Sequence, residues 1–408
     1  VRKLLAVLLV LTFAEAALAS VTVFDDDLFK IKLGGYFQFR WDYDLQSNVD
    51  DGNAFGELYF KRAKLEVKGD IGDYWSFKLV EQVKERGHFK GLNLELTTED
   101  YDIDDDGEPD FTYVSDVAAN VSTSKYLQWE LEELYLTFQP VDLFSLNFGL
   151  QKPAGSWTHK LSSSAQPFID RPQHDAWSPD YQEGVMAGLN IAGEEKGTSY
   201  LNLELGAWEN DRAGWGGAKG AADHDPDLTD INFSVYADSN FMKGIHLGGF
   251  LYMANDQDLG YTDPDTGADA YTGVTGYGAH VNYTHDYFYA GLEYVGGSIG
   301  LSRSKDADGG SVDAGDDYGV MGLAVDLFGR LPVGGDFLDL VELGGRYDIN
   351  DTNDQIGNDG NNRLTIGANL FFTGDHYALL QLNYIMDIPE DSDVDGNSWF
   401  KAHLQLKF

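Results

Sequence analysis

The sequence contains no cysteine, which excludes disulfides, zinc–thiolate centres and a cysteine nucleophile. Beyond residue 19 no run approaches the ~18 apolar residues that a membrane-spanning helix needs. Basic residues are scarce, 28 Lys and Arg against 68 Asp and Glu, for a net charge of −40. Such an acidic chain has no electrostatic basis for binding duplex nucleic acid, and no nucleic-acid partner is expected. There is no G-x-S-x-G, H-E-x-x-H or phosphate-loop signature. His159, Ser162, Ser163, Ser164 and Asp170 fall within one connection. Proximity along the chain does not assemble a nucleophile and base, so no enzyme is expected.

What is abundant is glycine (47 residues) and aromatic side chains (13%), a composition suited to twisted strands with aromatic girdles. Arg2 and Lys3, the apolar run Leu4 to Ala14 and Ala17-Leu18-Ala19 before Ser20 read as a secretory leader. The expected division is therefore a cleaved leader at 1–19, a short periplasmic segment at 20–30 and a barrel over 31–408.

The clearest strand is Trp399 to Phe408. Phe400, Ala402, Leu404, Leu406 and Phe408 share one parity, and Trp399, Lys401, His403, Gln405 and Lys407 share the other. In a strand these are opposite faces, one meeting an apolar surround and one meeting water. Ten residues is the length of a tilted strand that crosses a bilayer. In lipid such a strand must pair on both edges, and its expected partner is the first strand, residues 31–43.

The same alternation recurs through the chain. Strands are expected at 31–43, 57–68, around 75–79, 134–138, 146–150, 185–191, 201–207, 231–237, 245–253, 277–283, 288–294, 321–327, 341–347, 364–372, 380–386 and 399–408. Sixteen is an even number, and the connections alternate long and short. This is the signature of an all-β, sixteen-stranded antiparallel transmembrane β-barrel with short periplasmic turns and long extracellular loops.

Charge separates by location. Connections such as 254–273 and 387–397 carry Asp and Glu with no Lys or Arg. The inward parity carries Lys32, Arg40, Arg62, Lys64, Lys78, Arg346, Arg363 and Lys401 against Asp42, Glu66, Glu133, Glu204, Glu293, Asp326 and Glu342. The lumen is far more basic than the chain as a whole, and polar inward faces imply a water-filled channel. Two segments stand out from the strands. Asp102, Asp104, Asp106 and Asp110, with Gly107, fit a D-x-D-x-D-G-x-x-D cation loop that would take Ca²⁺; Tyr113 stands where an EF-hand has its bidentate Glu. Asp391 to Gly396 is a shorter echo. Residues 151–182 hold Lys152, Trp157, His159, Lys160, Arg171, His174 and Trp177 with only three acids. A loop that escapes the acidic bias of its neighbours is expected to fold into the barrel and narrow it.

Four stretches, Leu33-Gly34-Gly35-Tyr36-Phe37-Gln38-Phe39-Arg40, Phe60-Lys61-Arg62-Ala63-Lys64-Leu65-Glu66, Leu146-Asn147-Phe148-Gly149-Leu150-Gln151-Lys152 and the aromatic C-terminus, carry a resemblance over most of the chain beyond the leader. In them the chain resembles the phosphate-selective porin O and P family. The resemblance implies a homotrimer in the outer membrane whose inward third loop and basic lumen guide anions such as phosphate. By position, Arg40, the Lys61-Arg62 pair and Lys152 or Lys160 match the family's basic features, although the family shows two arginines where this chain has Lys61-Arg62. The expected anion-guiding set is Arg40, Lys61, Arg62, Lys64, Lys78, Lys152, Lys160, Arg171, Arg346 and Lys401. The expected partners are membrane lipid, lipopolysaccharide and small anionic solutes. No cofactor is required. The alternatives are a general or cation-preferring porin and a structural, cation-binding surface protein.

Overall fold

The structure is a computed structural model and describes residues 21–26, 28–45, 57–86, 92–101, 111–121, 126–192, 199–209, 231–262, 269–300, 303–305, 311–313, 318–335, 337–351, 354, 360–372, 378–391 and 396–407. The leader at 1–19 and the segment with Asp102, Asp104, Asp106 and Asp110 lie outside the described residues, as does most of 391–396.

In chain order the strands are β1 (Val21–Asp25), β2 (Phe29–Asp44), β3 (Glu57–Ile71), β4 (Trp75–Arg86), β5 (Leu92–Tyr101), β6 (Phe111–Val121), β7 (Tyr126–Val141), β8 (Phe144–Gln151), β9 (Gln182–Ala192), β10 (Ser199–Glu209), β11 (Ile231–Met242), β12 (Ile245–Thr262), β13 (Asp269–Thr284), β14 (Phe288–Ile299), β15 (Arg303–Lys305), β16 (Ser311–Asp313), β17 (Tyr318–Pro332), β18 (Leu338–Asp351), β19 (Asn361–Phe372), β20 (Ala378–Pro389) and β21 (Ser398–Lys407). Sixteen of them form a closed antiparallel barrel. It seals where β2 meets β21, from Tyr36↔Lys407 to Asp44↔Trp399. β1 pairs with Lys30 to Leu33 of β2 and so extends the seam past the end of β21. β5 and β6 form a separate two-stranded ladder within what reads as a polar connection in the sequence. β15 and β16 pair as a small hairpin against the end of β13.

Closure follows from the alternation. On β17 the outward Met321 and Leu327 are exposed, while Val320, Ala324, Asp326 and Phe328 point inward and are buried. The outward face is an apolar band open to its surroundings, which water does not stabilise and lipid does. Short turns gather at one end of the barrel. Two of them place Gly72 and Gly244 at φ 58° and 82°, left-handed conformations that a side chain disfavours.

The lumen differs from the expected water-filled interior. Inward Tyr236, Phe250, Tyr252, Ala254, Val274, Val295, Ile299 and Val320 form one apolar cluster with Ala154, and Trp177 packs on it. The β11–β17 side is therefore a packed core, and the open space lies along the opposite wall.

Candidate functional site

Residues 152–181, the third of the long connections and here called the third loop, occupy the lumen. The segment opens with a single helical turn, α1 (Trp157–Lys160), whose N-cap Ser156 side chain accepts the His159 N–H at 3.1 Å. A 3-10 turn follows at Gln173–Trp177. Barrel side chains hold the backbone between them. Gln405 Nε2 donates to Ser164 O (3.2 Å), Gln381 Nε2 to Gln166 O (3.1 Å) and Asn369 Nδ2 to Pro167 O (2.9 Å). Asn383 Oδ1 accepts the Ile169 N–H at 2.8 Å. Inward amides thus satisfy loop backbone groups that would otherwise be buried without partners. Charged and aromatic contacts complete the seat. Thr158 Oγ1 donates to Glu293 at 2.7 Å, and His174 Nε2 lies 3.2 Å from the same carboxylate. The Phe168 ring packs 4.7 Å from that of Phe328, with the Arg346 guanidinium over its face. Gly322 has no side chain where His174 sits; a Cβ there would overlap that of His174.

With the loop seated on β14 and β17–β21, a passage lies, among the described residues, between it and the β2–β3–β4–β7 wall. Its volume is about 1370 Å³. Nine Lys and Arg line it (Lys61, Arg62, Lys64, Lys78, Lys84, Lys152, Lys160, Arg171, Lys407) against seven acids (Glu66, Glu130, Glu132, Glu133, Asp170, Asp175, Asp180). In a chain of net charge −40, this lining carries an excess of positive charge.

Pairing sharpens the asymmetry. Lys64 pairs with Glu132, Lys84 with Glu130 and Lys160 with Glu204. Lys78 lies 2.5 Å from Glu133, and Arg171 3.0 Å from Asp175. Glu66 is held by Lys68 at 2.6 Å. Among the described residues no carboxylate lies within ion-pair distance of Lys61, Arg62, Lys152 or Lys407, and Arg62 Nε is buried with no hydrogen-bond acceptor. Lys152 Nζ donates to His159 O at 2.8 Å and sits over the Tyr181 ring. Asp180 alone among the lining acids meets no cation among the described residues.

Two bulges build this wall. Gln38 faces Arg62 while Phe39 faces Phe60, which leaves Lys61 as the extra residue. On β7, Val80 faces Glu133 while Glu81 faces Leu131, which leaves Glu132 unpaired in the ladder. A bulge lets neighbouring residues aim to one face. Lys61 and Arg62 both reach the passage, and so do Glu132 and Glu133.

Of the ten expected anion-guiding residues, Lys61, Arg62, Lys64, Lys78, Lys152, Lys160 and Arg171 line the passage. Arg40, Arg346 and Lys401 lie behind it in ion pairs. Arg40 meets Asp42 (2.6 Å) and Asp170 (2.8 Å), Lys401 meets Asp170 (2.5 Å), and Arg346 makes a two-pronged contact with Asp326 (2.6 and 2.9 Å). Strict alternation does not predict Glu132 as a lining residue. Its signal is the run Glu130-Leu131-Glu132-Glu133, where two adjacent charges break the period of two.

The loop's ionisable groups respond to this setting. Burial, with Arg171 and Lys64 near, pushes the Lys152 ammonium down to about 7 against the pull of Asp175 and Glu132. Burial also lowers His159, reinforced by Lys152. Burial acts to raise Asp175, but His159 and Arg171 outweigh it and hold the carboxyl below the ordinary range.

Comparison with known proteins follows the same line. The family model described as phosphate-selective porin O and P matches residues 31–406. Among solved structures, the anion-selective porin from Comamonas acidovorans superposes with TM-score 0.57 at 11% identity, covering 93% of this chain and 100% of that one. OmpF of Salmonella typhi in complex with daunomycin gives 0.58 at 9%, covering 95% and 100%. The outer membrane channel DcaP of Acinetobacter baumannii gives 0.52 at 13%, covering 96% and 100%. At such identities the likeness establishes the fold alone. No curated protein sequence matches the chain.

Proposed function

Because the chain belongs to the phosphate-selective porin O and P family and is an outer-membrane porin, we propose that it passes small hydrophilic anions such as phosphate through the passage beside the third loop. The observation that carries this reading is the imbalance of unpaired charge. Lys61, Arg62, Lys152 and Lys407 face the passage without carboxylate partners among the described residues, against Asp180 alone. At about 4 Å and an effective dielectric near 20, each of these groups, when protonated, attracts an anion by about 4 kcal/mol before the anion's lost hydration is counted. The paired walls Lys64–Glu132, Lys78–Glu133 and Lys84–Glu130 add a transverse field but no net charge. The expected solute is therefore a small hydrated anion that sheds water at the Lys61–Arg62 bulge.

The family and fold point to a channel, not an enzyme. Assembly as a homotrimer is part of the proposal. It is supported by a barrel of similar fold, OmpT of Vibrio cholerae, for which a trimer form is described. Purified protein in planar bilayers tests the reading. Discrete conductance steps establish the pore, and the sign of the zero-current potential in a KCl gradient reads its preference. Cation preference replaces the anion reading with the general or cation-preferring one.

A further inference from the structure

Asp170 is the one carboxylate of the third loop surrounded by barrel cations. Its side chain lies 2.8 Å from Arg40 Nη1 on β2 and 2.5 Å from Lys401 Nζ on β21. Its backbone carbonyl accepts from Arg346 Nη1 on β18 at 3.1 Å. It lines the passage, whereas Arg40 and Lys401 do not. Arg40 keeps a second carboxylate, Asp42 at 2.6 Å, but among the described residues Asp170 is the only carboxylate paired with Lys401.

We propose that Asp170 is a specificity-determining residue, a counter-anion tethered to the loop that occupies an oxyanion position between Arg40 and Lys401 and so withholds both cations from permeating solutes. The inference rests on the anion-passing reading and deepens it. A conducting pore must attract an anion strongly enough for entry and weakly enough for release. Among the described residues, Lys61, Arg62, Lys152 and Lys407 already face the passage without an ion-pair partner. Two more at its edge, desolvated and converging, would turn a conducting site into a retaining one. Asp170 prevents this and, through the same contacts, pins the loop to the barrel seam where β2 meets β21. The neighbouring groups agree with a site built for negative charge. Burial acts to raise the Asp170 carboxyl, yet Arg40, Lys401 and Lys61 together hold it far below the ordinary range. A merely structural tether would be replaceable by a neutral hydrogen-bonding side chain without effect on selectivity.

The test is a charge cycle in planar bilayers using native protein, Asp170→Asn, Lys401→Met and the double variant, each first shown to be folded by heat-modifiable gel mobility. Two readouts are taken: the zero-current potential in a KCl gradient and the inorganic phosphate concentration that halves the chloride current. Asp170→Asn is expected to shift the potential toward anions and lower the half-blocking phosphate concentration by about tenfold, which is ~1.4 kcal/mol of added binding. Lys401→Met is expected to shift the potential toward cations, because it leaves the carboxylate facing the passage. The double variant is expected to return to the native value. If Asp170→Asn does not fold, Lys401→Met and the double variant still decide. Folded single variants with native potential and native phosphate block overturn the proposal. The anion preference itself is read from native protein and the masking from differences between variants, so either fails without the other.

Discussion

The Arg40 guanidinium stands 2.8 Å from the Asp170 carboxylate, joining the first strand of the barrel to the loop that crosses its lumen. Lys401, on the strand that closes the barrel against β2, shares the same carboxylate. The barrel seam and the seat of the loop are therefore one structure. Where the loop sits decides where solute passes.

The loop leans on β17 at Gly322. Gly322→Val forces His174 away from the wall and tilts the 3-10 turn toward the passage. Overpacking of this kind costs about 1–3 kcal/mol, so the barrel is expected to fold with a clear drop in single-channel conductance. Native conductance in the folded variant contradicts the packing described here.

Arg346 and Asp326 face each other across β17 and β18 and are both buried. Arg346→Met leaves the carboxylate without its cation and is expected to lower stability by about 3–5 kcal/mol, measured by urea unfolding from lipid vesicles. Arg346→Met combined with Asp326→Leu is expected to recover most of that loss.

Lys152 gives the passage a pH response. Its ammonium is pushed down to about 7, so it is charged below neutrality and loses its charge as pH rises through 7. Anion preference is expected to fall between about pH 6 and pH 8. Lys152→Met is expected to show the weaker preference at both ends of that range. A native profile in that variant assigns the titration to another group.

The outward face is assigned by alternation, and Leu343 is among its most exposed members at 61%. Leu343→Arg is expected to cost about 2–4 kcal/mol if it lies near the bilayer centre, read as lower folding yield into vesicles. No loss relative to native protein would place this face away from lipid.

The barrel is legible in the sequence because one face meets lipid and the other polar groups, so parity alone locates Phe39, Leu343 or Leu404. Parity fails where both faces are apolar. Phe250, Tyr252 and Val295 point inward on strands that parity locates, but with apolar residues on both faces it does not tell a packed lumen from a wet one. It fails again at the Lys61 and Glu132 bulges, where one added residue changes the face. β1 and the β5–β6 ladder lie outside the expected strands: β1 has only five residues in which to show a period, whereas β5 and β6, ten and eleven residues long, fall in a stretch that reads as a polar connection. For the site, the basic lining is visible from composition by face, but pairing is not. Whether Arg346 guides an anion or balances Asp326 depends on the register of β17 against β18, and whether Lys401 is available depends on a loop residue 231 positions away.

The central claim is that unpaired cations at the Lys61–Arg62 bulge select for anions. It is tested most directly by the zero-current potential in a tenfold KCl gradient for native protein and for Lys61→Met/Arg62→Met. The account predicts anion preference in the native pore and its loss or reversal in the variant. A native pore that prefers cations, or a folded variant with unchanged anion preference, contradicts it.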